Sequence, residues 1–179
     1  MLISDLDQFK RTPILDGYPE NIRTFYSPED DVHGVLKALV SLASSSLVVA
    51  MYGYDDDELA EIIAGHLRNP AIHCQITLDK SQAGGVHERE ILAKYKAEMD
   101  SNSVAIGTSE KGAIMHRKML VIDGTWRVSG STNWSESGES KQDNELTVIQ
   151  SAVACAEARR VMDLEHVKAL TQMSKSEVV

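Results

Sequence analysis

Asp123-Gly124, set between two runs of β-forming residues, constrains the fold of this 179-residue chain more than any other dipeptide in it. A two-residue type I′ turn needs positive φ at both central positions, and Asp-Gly tolerates that. The flanks Ile114 to Ile122 and Thr125 to Gly130 favour extended backbone, so the spacing predicts an antiparallel hairpin. With Asp123 and Gly124 as the loop, Ile122 pairs with Thr125, Lys118 faces Ser129, and His116 faces Ser131. Side chains alternate along a strand, which puts His116 and Lys118 on one face. Directly opposed residues have Cβ atoms roughly 4.5–5.5 Å apart. The hairpin is therefore expected to gather an imidazole, an ammonium and the Ser131 hydroxyl in one patch, with Asn133 just beyond.

Written as a pattern the segment is H-x-K-x4-D-x6-G-S-x-N, from His116 to Asn133, and it occurs once. It supplies a titratable nucleophile, a fixed positive charge and small polar donors for phosphate oxygens, the groups a phosphodiester exchange needs. Asp123 belongs to the pattern but not to the patch. It lies seven residues from His116, about 23 Å along an ideal strand. That is too far for an acid or base on the same phosphate, so Asp123 is expected to be a turn and anchoring residue. His73-x-Gln75 followed by Asp79 is the nearest imitation, and it lacks both the lysine and the G-S-x-N.

These residues resemble the signature of the phospholipase D superfamily, in particular its small single-motif nuclease branch. MHRKMLVIDG before the turn, VSGSTNWSESG after it, NELTVI, and upstream FYSPEDD, SLVVAMYGY and ITLDKSQ all look like that branch. The resemblance spans roughly residues 22 to 168. It implies His116 and Lys118 as catalytic residues, with Ser131 and Asn133 supporting the phosphate and Asp123 and Gly130 structural. The family's small nucleases carry an acidic residue fourteen positions after the motif glycine, where this chain has Asn144. Glu145 follows immediately and is expected to hold the imidazole in that residue's place.

One histidine cannot attack phosphorus and protonate the leaving oxygen at the same time. Single-motif members of the family resemble half of a two-motif enzyme, which implies a homodimer with both His116 residues in one interfacial site. The expected reaction is metal-independent hydrolysis through a phosphohistidine, with no cofactor, no metal ligands and a bell-shaped pH profile. A nucleic acid is the expected substrate. A phospholipase or phosphatidyl transferase is the alternative, and an inactive binding module is disfavoured because every motif residue is intact.

Composition bears on the substrate. With 18 basic and 27 acidic residues the net charge is −9, against a tight duplex binder. Lys111, Arg117, Lys118, Arg127 and Lys141 are expected to form a local positive rim, diluted by Glu136, Glu139 and Asp143. Cys74 and Cys155 read as reduced core thiols. MLISDLDQFKR is no secretory signal and no apolar run is long enough to span a bilayer, so a cytoplasmic location without membrane association is expected. His33, His66, His73, His87 and His166 read as structural. Trp126 and Trp134 read as packing residues, and Arg89, Glu90, Lys94 and Lys96 as a solvated helix face.

Along the chain helices and strands alternate, as in a single-domain mixed α/β sandwich with helices on both sides of a sheet. Strands are expected at 22–27, 47–52, 72–78, 104–107, the hairpin and 145–149. Helices are expected at 28–43, from 55, at 87–99 and at 152–170. Residues 1–20 and 173–179 are expected to be tails flanking a catalytic domain at 21–172.

Overall fold

Leu47 to Met51 is a continuous apolar run, and such a strand needs cover on both faces. In the computed structural model, which describes residues 1–82 and 103–176, it receives that cover. It is β2 (Ser46–Met51), near the middle of a seven-stranded sheet of order β1-β9-β7-β6-β2-β4-β5. The other strands are β1 (Ile22–Ser27), β4 (His73–Asp79), β5 (Val104–Gly107), β6 (Lys118–Ile122), β7 (Trp126–Gly130) and β9 (Asn144–Gln150). β2, β4 and β5 run parallel, and the ladders joining β2 through β6, β7 and β9 to β1 are antiparallel.

Helix α1 (Val32–Ser41) and helix α2 (Asp57–Leu67) cover one face. Val32, Val35, Leu36, Leu39 and Val40, the spacing expected of a core-facing stripe, are all buried on α1. Each contributes about 1.5–3 kcal/mol by leaving water. The Asp31 carboxylate accepts from Gly34 N and that of Asp56 from Leu59 N, capping the two helices. Asp56 is thus the cap of the expected Asp55-Asp56-Asp57 helix start. On the other face helix α4 (Ala152–Ser176) packs Cys155, Ala158 and Met162 against Val48, Ala50, Met115 and Val121. This is the mixed sheet between helices read from the sequence. The helix expected at 87–99 lies outside the described residues.

The hairpin forms, in a register one residue away from the expected one. Asp123 and Gly124 have φ of 50° and 61°, and Thr125 N donates to Ile122 O, as the turn type requires. Yet Ile122 pairs with Trp126, and Met119 rather than Lys118 pairs with Ser129. Thr125 bulges out, its carbonyl accepting from Ser151 N. The reason lies in the side-chain pattern. The observed register points Trp126 and Val128 into the α1/α2 core beside Leu120 and Ile122. The expected register would have aimed Thr125, Arg127 and Ser129 there, and one residue of slip exchanges the faces of a whole strand.

The terminal segments also differ from expectation. Ile3–Phe9 forms a 3₁₀ helix whose Ile3 and Leu6 are buried in the core. Arg11 N, Thr12 N and the Thr12 hydroxyl all bond Asp30, and Lys10 reaches Asp30 and Thr24 O. The first twelve residues are therefore part of the domain. At the other end α4 continues to Ser176, with Gln172 bonded to Thr108 and Met173 Sδ accepting from Ile106 N. Two short strands, β3 (Tyr54–Asp55) and β8 (Trp134–Ser135), pair in parallel, and helix α3 (Glu136–Ser140) follows β8 directly. Elements this short carry no readable periodicity.

Candidate active site

His116 sits in irregular backbone just ahead of β6, because two bonds from outside the hairpin claim its neighbours. Met115 N donates to the carboxylate of Asp79, a wholly buried residue at the end of β4 that also accepts from Ser81 N and Oγ. Arg117 O accepts from Tyr52 N at 2.8 Å. Pinned on both sides, the exposed His116 ring meets the Tyr52 ring edge-on, 4.6 Å between centroids at 62°.

Lys118 shares that platform. Its Nζ lies 4.8 Å from the Tyr52 ring centroid and donates to His116 O at 3.3 Å. The residue is 7% exposed, and burial lowers its pKa. Among the described residues no carboxylate lies within ion-pair distance of this ammonium. A desolvated cation without a counter-charge is costly unless an anion completes it. Three other members of the expected basic rim are paired with carboxylates: Arg117 with Glu165, Arg127 with Glu157 and Lys141 with Glu136.

Gly53, next to Tyr52, brings in Asn133. A Cβ at Gly53 would lie 3.0 Å from Asn133 Cγ, so a side chain there would press on the amide. Trp134 N donates to Gly53 O, fixing the approach. Asn133 Oδ1 is buried and has no partner among the described residues. His116, Lys118 and Asn133 thus converge on the pair Tyr52-Gly53. Sequence reasoning missed Tyr52 and Asp79. The available signal was their place at the carboxyl ends of β2 and β4, where α/β sheets collect functional groups.

Ser131 and Glu145 are placed differently from the expectation. Ser131 Oγ donates to Asn144 Oδ1 at 2.9 Å and accepts from Glu145 N at 3.1 Å. Glu145 pairs across the sheet with Tyr26 and is exposed. It neighbours Leu146, which is buried in the α1/α2 core, so its side chain leaves by the opposite face from Lys118 and Leu146. Among the described residues its carboxylate bonds nothing, and the expected contact with His116 is not formed. Asn144, one position earlier and on the other face, donates instead to Gly138 O. In a strand a one-residue displacement cannot be absorbed, because it changes the face.

The two motif residues read as structural have saturated surroundings. A Cβ on Gly130 would lie 2.1 Å from Glu145 O, so only glycine lets β7 and β9 approach there. The Asp123 carboxylate accepts from the backbone N–H groups of Ser44, Ser45 and Ser46 and from the Ser44 and Ser45 hydroxyls. Burial pushes its pKa up, but these donors outweigh burial and bring it to about 2. Beside His116, on the α4 side, opens a cavity of about 420 Å³ lined by Thr77, Thr108, Ser109, Ile114 and Lys168 among others. Among the described residues no helix is long and apolar enough to cross a membrane.

Comparison with known proteins agrees with this architecture. Residues 36–165 match the family model described as "Cardiolipin synthase, PLD-like domain". The chain is 22% identical over 121 residues to a mitochondrial cardiolipin hydrolase of Chlamydomonas reinhardtii, across 68% of this chain and 51% of that protein. It therefore spans about half the length of this curated relative. Among solved structures, Nuc from Salmonella typhimurium, a phospholipase D family member, superposes with a TM-score of 0.67 at 15% identity, over 80% of this chain and 94% of that one. NucT from Helicobacter pylori gives 0.67 at 21% identity, over 84% and 95%. A phosphatidylserine synthase of Haemophilus influenzae gives 0.61 at 12% identity, over 82% of this chain and 38% of that one. With the family model covering most of the domain around the His116–Asn133 pattern, the chain belongs to the phospholipase D superfamily.

Proposed function

We propose that the protein is a metal-independent phosphodiesterase that cuts nucleic acid at a site shared by two copies of the chain. The observation that carries this reading is Lys118, a buried ammonium with no carboxylate partner among the described residues, two positions from an exposed imidazole. Such a cation favours a bound phosphate anion, and most of all the extra charge that develops as phosphorus is attacked.

In the reaction, a neutral His116 attacks phosphorus, forming a P–N bond as the P–O bond to the leaving group breaks. The protonated His116 of a second copy gives its proton to the departing alkoxide. That second imidazole then takes a proton from water, whose oxygen attacks phosphorus and breaks the P–N bond, restoring both rings. Lys118 offsets the charge on the equatorial oxygens and the Asn133 side-chain N–H donates to them, while Ser131, bonded to Asn144 and Glu145 N, orders the start of the segment that leads to Asn133. The Tyr52 ring holds His116 in position, and the Asp79 bond to Met115 N fixes the backbone that carries it.

The leaning toward nucleic acid rests on Thr108, Ser109 and Lys168 in the cavity next to His116 and on a sequence without a basic amphipathic helix for a lipid surface. A second reading, hydrolysis or transfer of a phosphatidyl group, is favoured by the names of the matching family model and of the curated relative. Incubation with labelled single-stranded DNA, duplex DNA, RNA, short-chain phosphatidylcholine and cardiolipin vesicles separates the two. Cleavage of a polynucleotide that disappears in His116→Ala is expected. Turnover of lipid alone would move the assignment to the second reading, and turnover surviving in His116→Ala would overturn both.

A further inference from the structure

On the α1/α2 side of the sheet, three polar side chains from three separate elements meet. His33 of α1 places Nδ1 2.6 Å from Glu139 Oε2 of α3 and 3.0 Å from Oδ2 of Asp56, the cap of α2. The three ligand-type atoms all lie within 4.8 Å of one another. Asp56 and Glu139 are 8% and 2% exposed. Glu139 Oε1 is buried and has no partner among the described residues, although its sister oxygen already faces His33. An unsatisfied carboxylate oxygen in such a place is unusual, since buried acceptors are nearly always bonded.

The outer contacts are those a metal ligand set requires. A ligating imidazole donates its second ring N–H to a carboxylate, and ligating carboxylates are themselves hydrogen-bonded. Here His33 Nε2 lies 3.3 Å from Glu58 Oε2, and Glu58 is itself paired with Lys37. The remaining oxygen of Asp56 accepts from Leu59 N at 2.9 Å. A neutral imidazole and two carboxylates sum to −2, which a divalent ion balances. Tetrahedral zinc sites hold nitrogen and oxygen ligands at about 2.0–2.2 Å. Tetrahedral ligands at those distances lie about 3.3 Å apart, so the two His33 contacts of 2.6 and 3.0 Å open slightly to admit the ion.

We propose that His33, Asp56 and Glu139 bind a divalent first-row cation of the zinc type, with His33's partly exposed side leaving a fourth position for water. The ion fastens α3 to α1 and α2. Because α3 begins directly after β8, which follows Asn133, it also steadies the segment that carries the Asn133 amide. The site is structural and does not touch the reacting phosphate. It revises the reading of His33 as a plain core histidine and of the chain as lacking metal ligands. The spacing of the three along the sequence matches no metal motif, so only the fold reveals them.

The full-length protein, stripped by dialysis against chelator, is titrated with Zn²⁺ by calorimetry and with Co²⁺ by visible absorption, and its melting midpoint is followed. One ion per chain is expected, with a raised midpoint and the d–d bands of a low-coordinate cobalt site. Glu58→Gln, at the exposed rim, should weaken binding by about ten- to hundredfold. Glu139→Gln should weaken it further, and His116→Ala should bind as the wild type does. If Glu139→Gln does not fold, Glu58→Gln still decides the question. No saturable binding at one ion per chain, binding indifferent to both substitutions, or binding lost in His116→Ala would each overturn the proposal. The first outcome would mean that a shared proton alone holds the cluster together.

Discussion

The two ends of β6 belong to one sequence pattern and are built in opposite ways. At the turn, Asp123 has a donor for each oxygen from the Ser44–Ser46 backbone and hydroxyls, and its carboxyl is held near a pKa of 2. At the open end, among the described residues, Lys118 is buried without a carboxylate and His116 is exposed. The difference separates structure from chemistry within a single motif. A saturated polar group holds the fold, and an unsaturated one waits for substrate.

That contrast can be broken most severely at His116. His116→Ala should reduce turnover to background while the circular dichroism spectrum and melting midpoint stay as in the wild type; residual cleavage by a rigorously purified mutant would refute the nucleophile. Lys118→Met keeps the buried stem and removes the charge. It should lower kcat by about 10²–10³-fold, the range for losing one preorganised charge stabiliser. Because burial already disfavours the ammonium, the same variant should be no less stable, and a large fall in its midpoint would show that the cation serves the fold.

Smaller effects are expected away from the reacting atoms. Asp79→Asn should lower kcat by about tenfold with little change in KM, since it loosens the segment carrying His116 without touching substrate. Asp123→Asn should leave kcat of the folded enzyme unchanged and cost about 1–2 kcal/mol of stability, as five donors lose a charged acceptor. The pH dependence follows the same residue. Its folded pKa lies below the ordinary 3.8, so its stabilisation is complete above about pH 4 and is lost as pH falls through about 2. Asp30, held at about 2 by Thr12, Arg11 and Tyr26 donors against burial, acts in the same window. In Asp123→Asn the acid unfolding curve should flatten there, and an unchanged curve would remove Asp123 from the anchoring role.

Much of this was readable from residues alone. The strand at 22–27, the buried strand Ser46–Met51 and the short strand Val104–Gly107 announced themselves through apolar runs and turn punctuation. His116 and Lys118 stood out because their spacing carries chemistry. The register did not follow, because Asp-Gly specifies a turn but not whether Thr125 pairs or bulges. Trp126 and Val128, seeking the core, decided that. The same period-two logic defeated Glu145, which is correct in type and wrong in face. Tyr52 escaped notice because an aromatic ring at the end of an apolar strand looks like packing. The His33–Asp56–Glu139 meeting depends on α3, five residues long, which no periodicity announces.

The proposed site is completed by a second copy of the chain, and the most direct test is specific activity measured alongside sedimentation across a wide protein concentration range. Activity per chain should fall in step with the dimer fraction as the protein is diluted, and a mixture of His116→Ala with wild type should lose activity in proportion to mixed dimers. Full activity per chain in a species that sediments as a monomer would contradict it.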